Sequence, residues 1–321
     1  MRKGVLTLAA ILPFSSIAAN AEAPVRNAVP VHDDKRWQAP AAIAQISLWP
    51  AGLAIARPEL TGDEKVAVGG SIAGRPVTSV YNVSRPTMTI YLAKGSKSRA
   101  AVLVFPGGGY RMLAIDLEGT EVCDWLTARG ITCAVLKYRV PQTWWPKGGG
   151  GQRAPKVQMA LQDAERAMSL LRERATSLGV DPHRIGVLGF SAGGHMVTAI
   201  SNAARRNYDP VDAADQQSFR PDFAVALYPG HLWSGQGTEL YPFNPISNAA
   251  PPTFIIQAED DPVDDVRHSV SYFLALRAAK VPAELHIYAL GGHAFGVRRT
   301  SSPITRWPEL LERWLRTIQM I

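Results

Sequence analysis

Apolar runs of five or six residues recur along the chain, and amphipathic stretches at helical spacing separate several of them. "MTIYL" (Met88–Leu92), "AVLVF" (Ala101–Phe105) and "TCAVLKY" (Thr132–Tyr138) read as strands, as do Arg184–Leu188, "FAVALY" (Phe223–Tyr228), "TFIIQ" (Thr253–Gln257) and "AELHIY" (Ala283–Tyr288). Helical patterns cover about 118–129, 156–178, 266–279 and 307–318. In the second, Met159, Leu161, Ala164, Met168 and Leu171 mark the apolar face. Several strands are apolar almost throughout, as expected when helices cover both faces of a sheet. The fold class is therefore α/β, a mostly parallel central sheet with helices on both faces, with no internal repeat and no linker between domains.

Three further regions stand outside this alternation. Arg2-Lys3, an apolar run from Gly4 to Ala19 and the small-residue stretch Ala19-Asn20-Ala21-Glu22-Ala23 have the layout of an export signal over 1–23. The uninterrupted apolar span is too short to anchor the chain in a bilayer, so an exported protein, periplasmic or secreted and free of the membrane, is expected. Residues 24–60, rich in Pro and Ala, read as an irregular arm, and 61–321 as the catalytic domain. The loop 139–155 carries Trp144, Trp145 and four consecutive glycines.

The net charge of +7 is scattered, without a run of like charges. A solvated surface is expected rather than a nucleic-acid site. The two cysteines, Cys123 and Cys133, fall in a predicted helix and the following strand. Layers about 10 Å apart are too distant for a disulfide, so two buried thiols are expected.

The chemistry centres on "GFSAGG". Gly189-Phe190-Ser191-Ala192-Gly193 is G-x-S-x-G between a predicted strand and a predicted helix. That placement presents a serine on a tight turn and aims the Ala192 N–H at a developing oxyanion. A serine needs a base and an orienting acid, here expected in the order Ser, acid, His. Asp261, just past the strand Thr253–Gln257, is the chosen acid, with Asp260 its close competitor; Asp264 and Asp265 read as caps of the next helix. His293, in "LGGHAFG", is the base. Of the other six histidines, His195 reads as structural and His231 as lining the pocket or capping a loop. "FPGGGY" supplies Gly108 or Gly109 as the second oxyanion donor. Neither a dinucleotide motif nor a metal motif is present, so no cofactor and no metal are expected.

These stretches, with "EGTEVCDWLTARGITCAVLKYRVP" and "DPHRIGVLGFSAGGH", resemble the exported bacterial α/β-hydrolases of the acetylxylan esterase and bifunctional feruloyl/acetyl esterase group, xylanase-like and related to dienelactone hydrolases. The similarity runs from about Ile46 to the C-terminus. It implies the α/β-hydrolase fold, a Ser191–Asp261–His293 triad, and hydrolysis of acyl esters on cell-wall saccharides. The chain departs from that group at Val263-Asp264-Asp265-Val266, where V-V-P-V or similar is usual, which makes the pocket lip more acidic. Small-molecule or saccharide esters are thus the expected partners, with Tyr110, Trp144 and Trp145 placed to stack on sugar rings. A feruloyl esterase, a prolyl-oligopeptidase-like serine peptidase and an inactive binding protein of the same fold are the alternatives. The peptidase usually carries an N-terminal propeller, for which the stretch ahead of the core leaves no room.

Overall fold

The computed structural model describes residues 36–39, 44–95, 98–141, 157–242 and 244–321. In chain order the strands are β1 (Ala44–Ser47), β2 (Lys65–Ile72), β3 (Arg75–Tyr81), β4 (Thr87–Tyr91), β5 (Ala101–Phe105), β6 (Met112–Ala114) and β7 (Thr132–Lys137). They continue with β8 (Ile185–Phe190), β9 (Ala224–Leu227), β10 (Thr253–Ala258) and β11 (Ala283–Tyr288). The α-helices are α1 (Glu121–Thr127), α2 (Gln158–Glu173), α3 (Ala192–Asn202), α4 (Arg267–Ala278) and α5 (Trp307–Thr317).

One eight-stranded sheet has the order β1-β4-β7-β5-β8-β9-β10-β11. From β7 to β11 neighbouring strands pair in parallel, while β1 and β4 add an antiparallel edge. All residues of β5, β7, β8, β9 and β10 are buried. Helices explain this. α1 and α5 share one face, where Trp125 packs near Trp307 and Arg129 pairs with Glu312. α2 and α3 pack together, with α4 beside α3 on the other face, where Tyr272 is fully buried. A small antiparallel sheet, β2-β3-β6, flanks the core and was not foreseen. Its residues alternate only weakly and several are exposed, which leaves little pattern to read.

Two expectations need correction. The stretch 24–60 is not irregular throughout. Ala44–Ser47 forms the edge strand β1. The fully buried Arg139 and Asp163 clamp the chain beyond it, because Trp49 Nε1 donates to Asp163 (2.8 Å) and Arg139 Nη1 donates to the Ala56 carbonyl (2.7 Å). Residues 1–35, which include the export-signal region, lie outside the described residues. Second, Cys123 and Cys133 form a disulfide, their Cα atoms 5.2 Å apart. The interlayer distance describes helix axes. Cys123 faces the sheet at the start of a short helix, where Cα atoms approach more closely than the axes do.

Candidate active site

The central crevice follows from the strand order. Within the main sheet the next strand of the chain after β5 is β7, which lies on one side of it, while β8 lies on the other. Loops leaving the C-terminal ends of β5 and β8 therefore diverge, which opens a cleft at the switch point. Ser191 is the single residue between β8 and α3, with φ 51° and ψ −116°. A non-glycine residue there is strained, and the surroundings impose it. A Cβ on Gly193 would run into the Phe105 carbonyl, and one on Gly189 into the Gly193 carbonyl. Small residues at both sites let the turn close.

Past β10, Asp261 accepts four hydrogen bonds, from the N–H groups of Val263 (2.8 Å) and Asp264 (3.0 Å), from Gln257 Nε2 (3.0 Å) and from His293 Nδ1 (2.7 Å). Gln257 is itself oriented by the Ser269 hydroxyl (2.8 Å). A carboxylate at Nδ1 makes that nitrogen the donor and leaves Nε2 as the acceptor. Burial alone would lower the His293 pKa. The hydrogen bond and charge of Asp261, with the charges of Asp264 and Glu118, outweigh it and raise the value above 6.5. Asp260 does not touch His293. It takes the N–H groups of Gly291 and Gly292 (both 2.8 Å) and ties down the loop that carries the histidine.

Contrary to the expectation from sequence, Asp264 does not cap the next helix, and of the pair only Asp265 meets α4, accepting the N–H of its first residue, Arg267 (2.8 Å). The Asp264 carboxylate instead enters the cleft. Its Oδ2 accepts the Ser191 hydroxyl (3.2 Å) and lies 3.8 Å from His293 Nε2. Burial, with the nearby Asp261 charge, pushes its pKa up to about 6 against the pull of His293. Reading "DDPVDD" as one acid followed by caps missed this, although the departure at Asp264 was the available signal.

Glu118 was also missed. It is fully buried under the glycine loop, where it accepts the Gly107 N–H (2.7 Å) and the Tyr228 hydroxyl (2.8 Å). Burial raises its pKa. The Gly107 N–H is thereby consumed and the loop fixed. Gly109 lines the pocket beside Ser191, while the Gly108 carbonyl takes the N–H groups of Arg111 (3.0 Å) and Met112 (3.2 Å). Ala192 opens α3, so its N–H has no acceptor within the helix.

The pocket at Ser191 encloses about 470 Å³ and is lined by His231, Trp233, Tyr241, Asp264 and His268 among others. Burial lowers the pKa values of His231 and His268 to about 4, so both are neutral near pH 7. Tyr110 does not stack on a ligand. It is 1% exposed, its hydroxyl bonded to His195 Nδ1 (2.8 Å) beneath the pocket. Its place after three glycines on an exposed-looking loop hid a left-handed turn, φ 56°, that folds the ring inward. Trp144 and Trp145 lie outside the described residues. A larger cavity, about 760 Å³, at the β1–β4 edge contains none of these side chains.

Sheet order, strained serine turn and Asp–His pair together define an α/β-hydrolase. The chain belongs to the prolyl oligopeptidase family, whose model matches residues 153–318. It is 31% identical over 254 residues to an acetylxylan esterase of Xylanibacter ruminicola, covering 72% of this chain and 48% of that protein. It therefore spans about half the length of that relative. An ethyl acetate hydrolase of Pseudomonas putida is 26% identical over 58% of this chain and 65% of its own. Among solved structures, the acetyl ester-xyloside bifunctional hydrolase of Caldicellulosiruptor lactoaceticus superposes with a TM-score of 0.64 at 30% identity, over 87% of this chain and 97% of that one.

Proposed function

We propose that the chain is a serine carboxylic-ester hydrolase acting through Ser191, His293 and Asp261, and that it removes short acyl groups, acetyl foremost, from saccharides. The observation that carries this reading is the Asp261–His293 pair (2.7 Å) set beside a serine on a strained strand-to-helix turn. Esterase names among the relatives support the reaction class, and the acetylxylan and acetyl ester-xyloside names support the substrate class.

In this mechanism the Ser191 hydroxyl turns from Asp264 to His293 Nε2. Its proton passes to that nitrogen as Oγ bonds the ester carbonyl carbon. The Ala192 N–H and an N–H of Gly108 or Gly109 receive the oxyanion. Asp261 holds the imidazole tautomer and stabilises the imidazolium. The intermediate collapses, the carbon–oxygen bond breaks, and His293 returns the proton to the departing alcohol. Water, activated by the same histidine, then frees the carboxylate and regenerates Ser191. The A-x-A stretch at Ala19–Ala23 and the Cys123–Cys133 bond support an exported protein, since disulfides persist in oxidising compartments.

The test is acetate release from a panel of acetylated saccharides, run beside 4-nitrophenyl esters of graded chain length, methyl ferulate and a prolyl-peptide nitroanilide. Release from the acetylated saccharides, with S191A slower by on the order of 10⁴-fold, is expected. Cleavage of the nitroanilide alone would make the peptidase reading correct.

A further inference from the structure

The Asp264 carboxylate is the feature of the cleft that hydrolysis by Ser191, His293 and Asp261 does not use. It is 7% exposed, and among the described residues the Ser191 hydroxyl (3.2 Å) is the donor that reaches it. Its other oxygen lies against Gly230, where a Cβ would overlap it, so the side chain is confined to the pocket wall. The main chain of Asp264 is anchored independently of the side chain. Its N–H donates to Asp261 (3.0 Å) and its carbonyl accepts from Gln257 Nε2 (3.0 Å). A buried carboxylate with one weak donor is costly unless a ligand completes it.

Position decides which part of a ligand it meets. Oδ2 lies 3.2 Å from Ser191 Oγ and 3.8 Å from His293 Nε2. The departing ester oxygen must occupy the same neighbourhood, since His293 has to protonate it. An ester oxygen without a nearby donor faces the carboxylate lone pairs and is repelled. A hydroxyl two carbons away turns that repulsion into a hydrogen bond to a charged acceptor. An ammonium would also bind the carboxylate, but it would oppose the imidazolium that His293 becomes. The site therefore fits a neutral donor.

Building on the esterase reading above, we propose that Asp264 determines specificity by accepting a hydrogen bond from a hydroxyl vicinal to the scissile ester, which also releases the Ser191 hydroxyl to His293. The substrates are monoesters of vicinal diols, as on a partly acylated sugar ring.

Paired model esters test this. Wild-type protein, D264A and D264N are compared on 2-hydroxyethyl acetate and 2-methoxyethyl acetate, with 4-nitrophenyl acetate as a third ester. A charged hydrogen bond predicts that wild type favours the hydroxyl ester by about 10- to 100-fold in kcat/KM. The ratio of the hydroxyl to the methoxy ester falls to about one in D264A, whatever the substitution does to the two rates together. If D264A does not fold, D264N, of the same shape, serves in its place, with the ratio cut by roughly threefold or more. A wild-type ratio near one, or a ratio the substitutions leave intact, overturns the role of Asp264 while ester hydrolysis stands. A wild type that cleaves none of the three esters overturns the esterase reading itself.

Discussion

Replacing Tyr228 by phenylalanine removes one hydroxyl and leaves the ring packing. The ring sits 4.8 Å from that of His293, 4.6 Å from Phe295 and 5.7 Å from Phe190, centroid to centroid. The lost hydroxyl donates to Glu118 Oε1 at 2.8 Å and accepts a weak bond from the Gly296 N–H at 3.4 Å. Glu118 is fully buried, so water does not replace the donor. A hydrogen bond to a buried charged group is worth about 1.5–3 kcal/mol, so a loss of about 2 kcal/mol is expected, or roughly 3–6 °C in Tm for a chain of this size. The deficit depends on pH. The folded-state pKa of Glu118 is already raised above 4.5, mainly by burial, and the Tyr228 hydrogen bond holds it down. Between 4.5 and that raised value the folded state keeps a proton the unfolded chain has lost, so stability falls as pH rises through the interval. Removing the Tyr228 donor lifts the folded value further and extends the fall. Urea denaturation of Y228F and wild type at pH 5 and pH 8 measures it. A larger deficit at pH 8 is expected. Equal stability of the two proteins, or a deficit that does not grow with pH, would refute the assignment of Glu118 as a buried acceptor that Tyr228 satisfies.

Further outcomes follow from the same contacts. In the proposed mechanism His293 acts as the base only when neutral, and its pKa is raised, so kcat/KM for 4-nitrophenyl acetate should fall as pH drops, on a limb with its midpoint above 6.5; a midpoint below 6.5 would contradict the Asp261 pairing. Replacing both Cys123 and Cys133 by alanine opens a bridge between positions 10 residues apart, which should cost about 2–3 kcal/mol in urea unfolding. G193A should lose activity with little soluble protein, because its Cβ would overlap the Phe105 carbonyl beside Ser191; near-native turnover would show that the turn tolerates widening.

The parts of the fold legible in the sequence were those whose pattern follows from burial on both faces. β5 and β10 begin where their apolar runs begin, because a strand buried on both faces inside a parallel sheet has few polar positions to blur it. β2 and β3 were not legible, since a half-exposed ribbon mixes glycine, serine and charge. At the site, Ser191 and His293 were legible from placement past strand ends. Asp264 was not. Capping and pocket-lining aspartates share the same local sequence, and only the tertiary approach of the β8 turn tells them apart. Tyr110 failed for a related reason: its burial depends on His195, 85 positions away. Glu118 carries no local signal, because its acceptor role exists only once Gly107 and Tyr228 meet over it.

The central claim is that Ser191 is the nucleophile that becomes acylated. Protein treated with a fluorophosphonate and digested for mass spectrometry tests it directly. One adduct on the peptide bearing Ser191 is expected, absent in S191A and much slower to form in H293A. A protein that hydrolyses acetate esters yet takes no adduct at Ser191, or takes it elsewhere, would contradict the account.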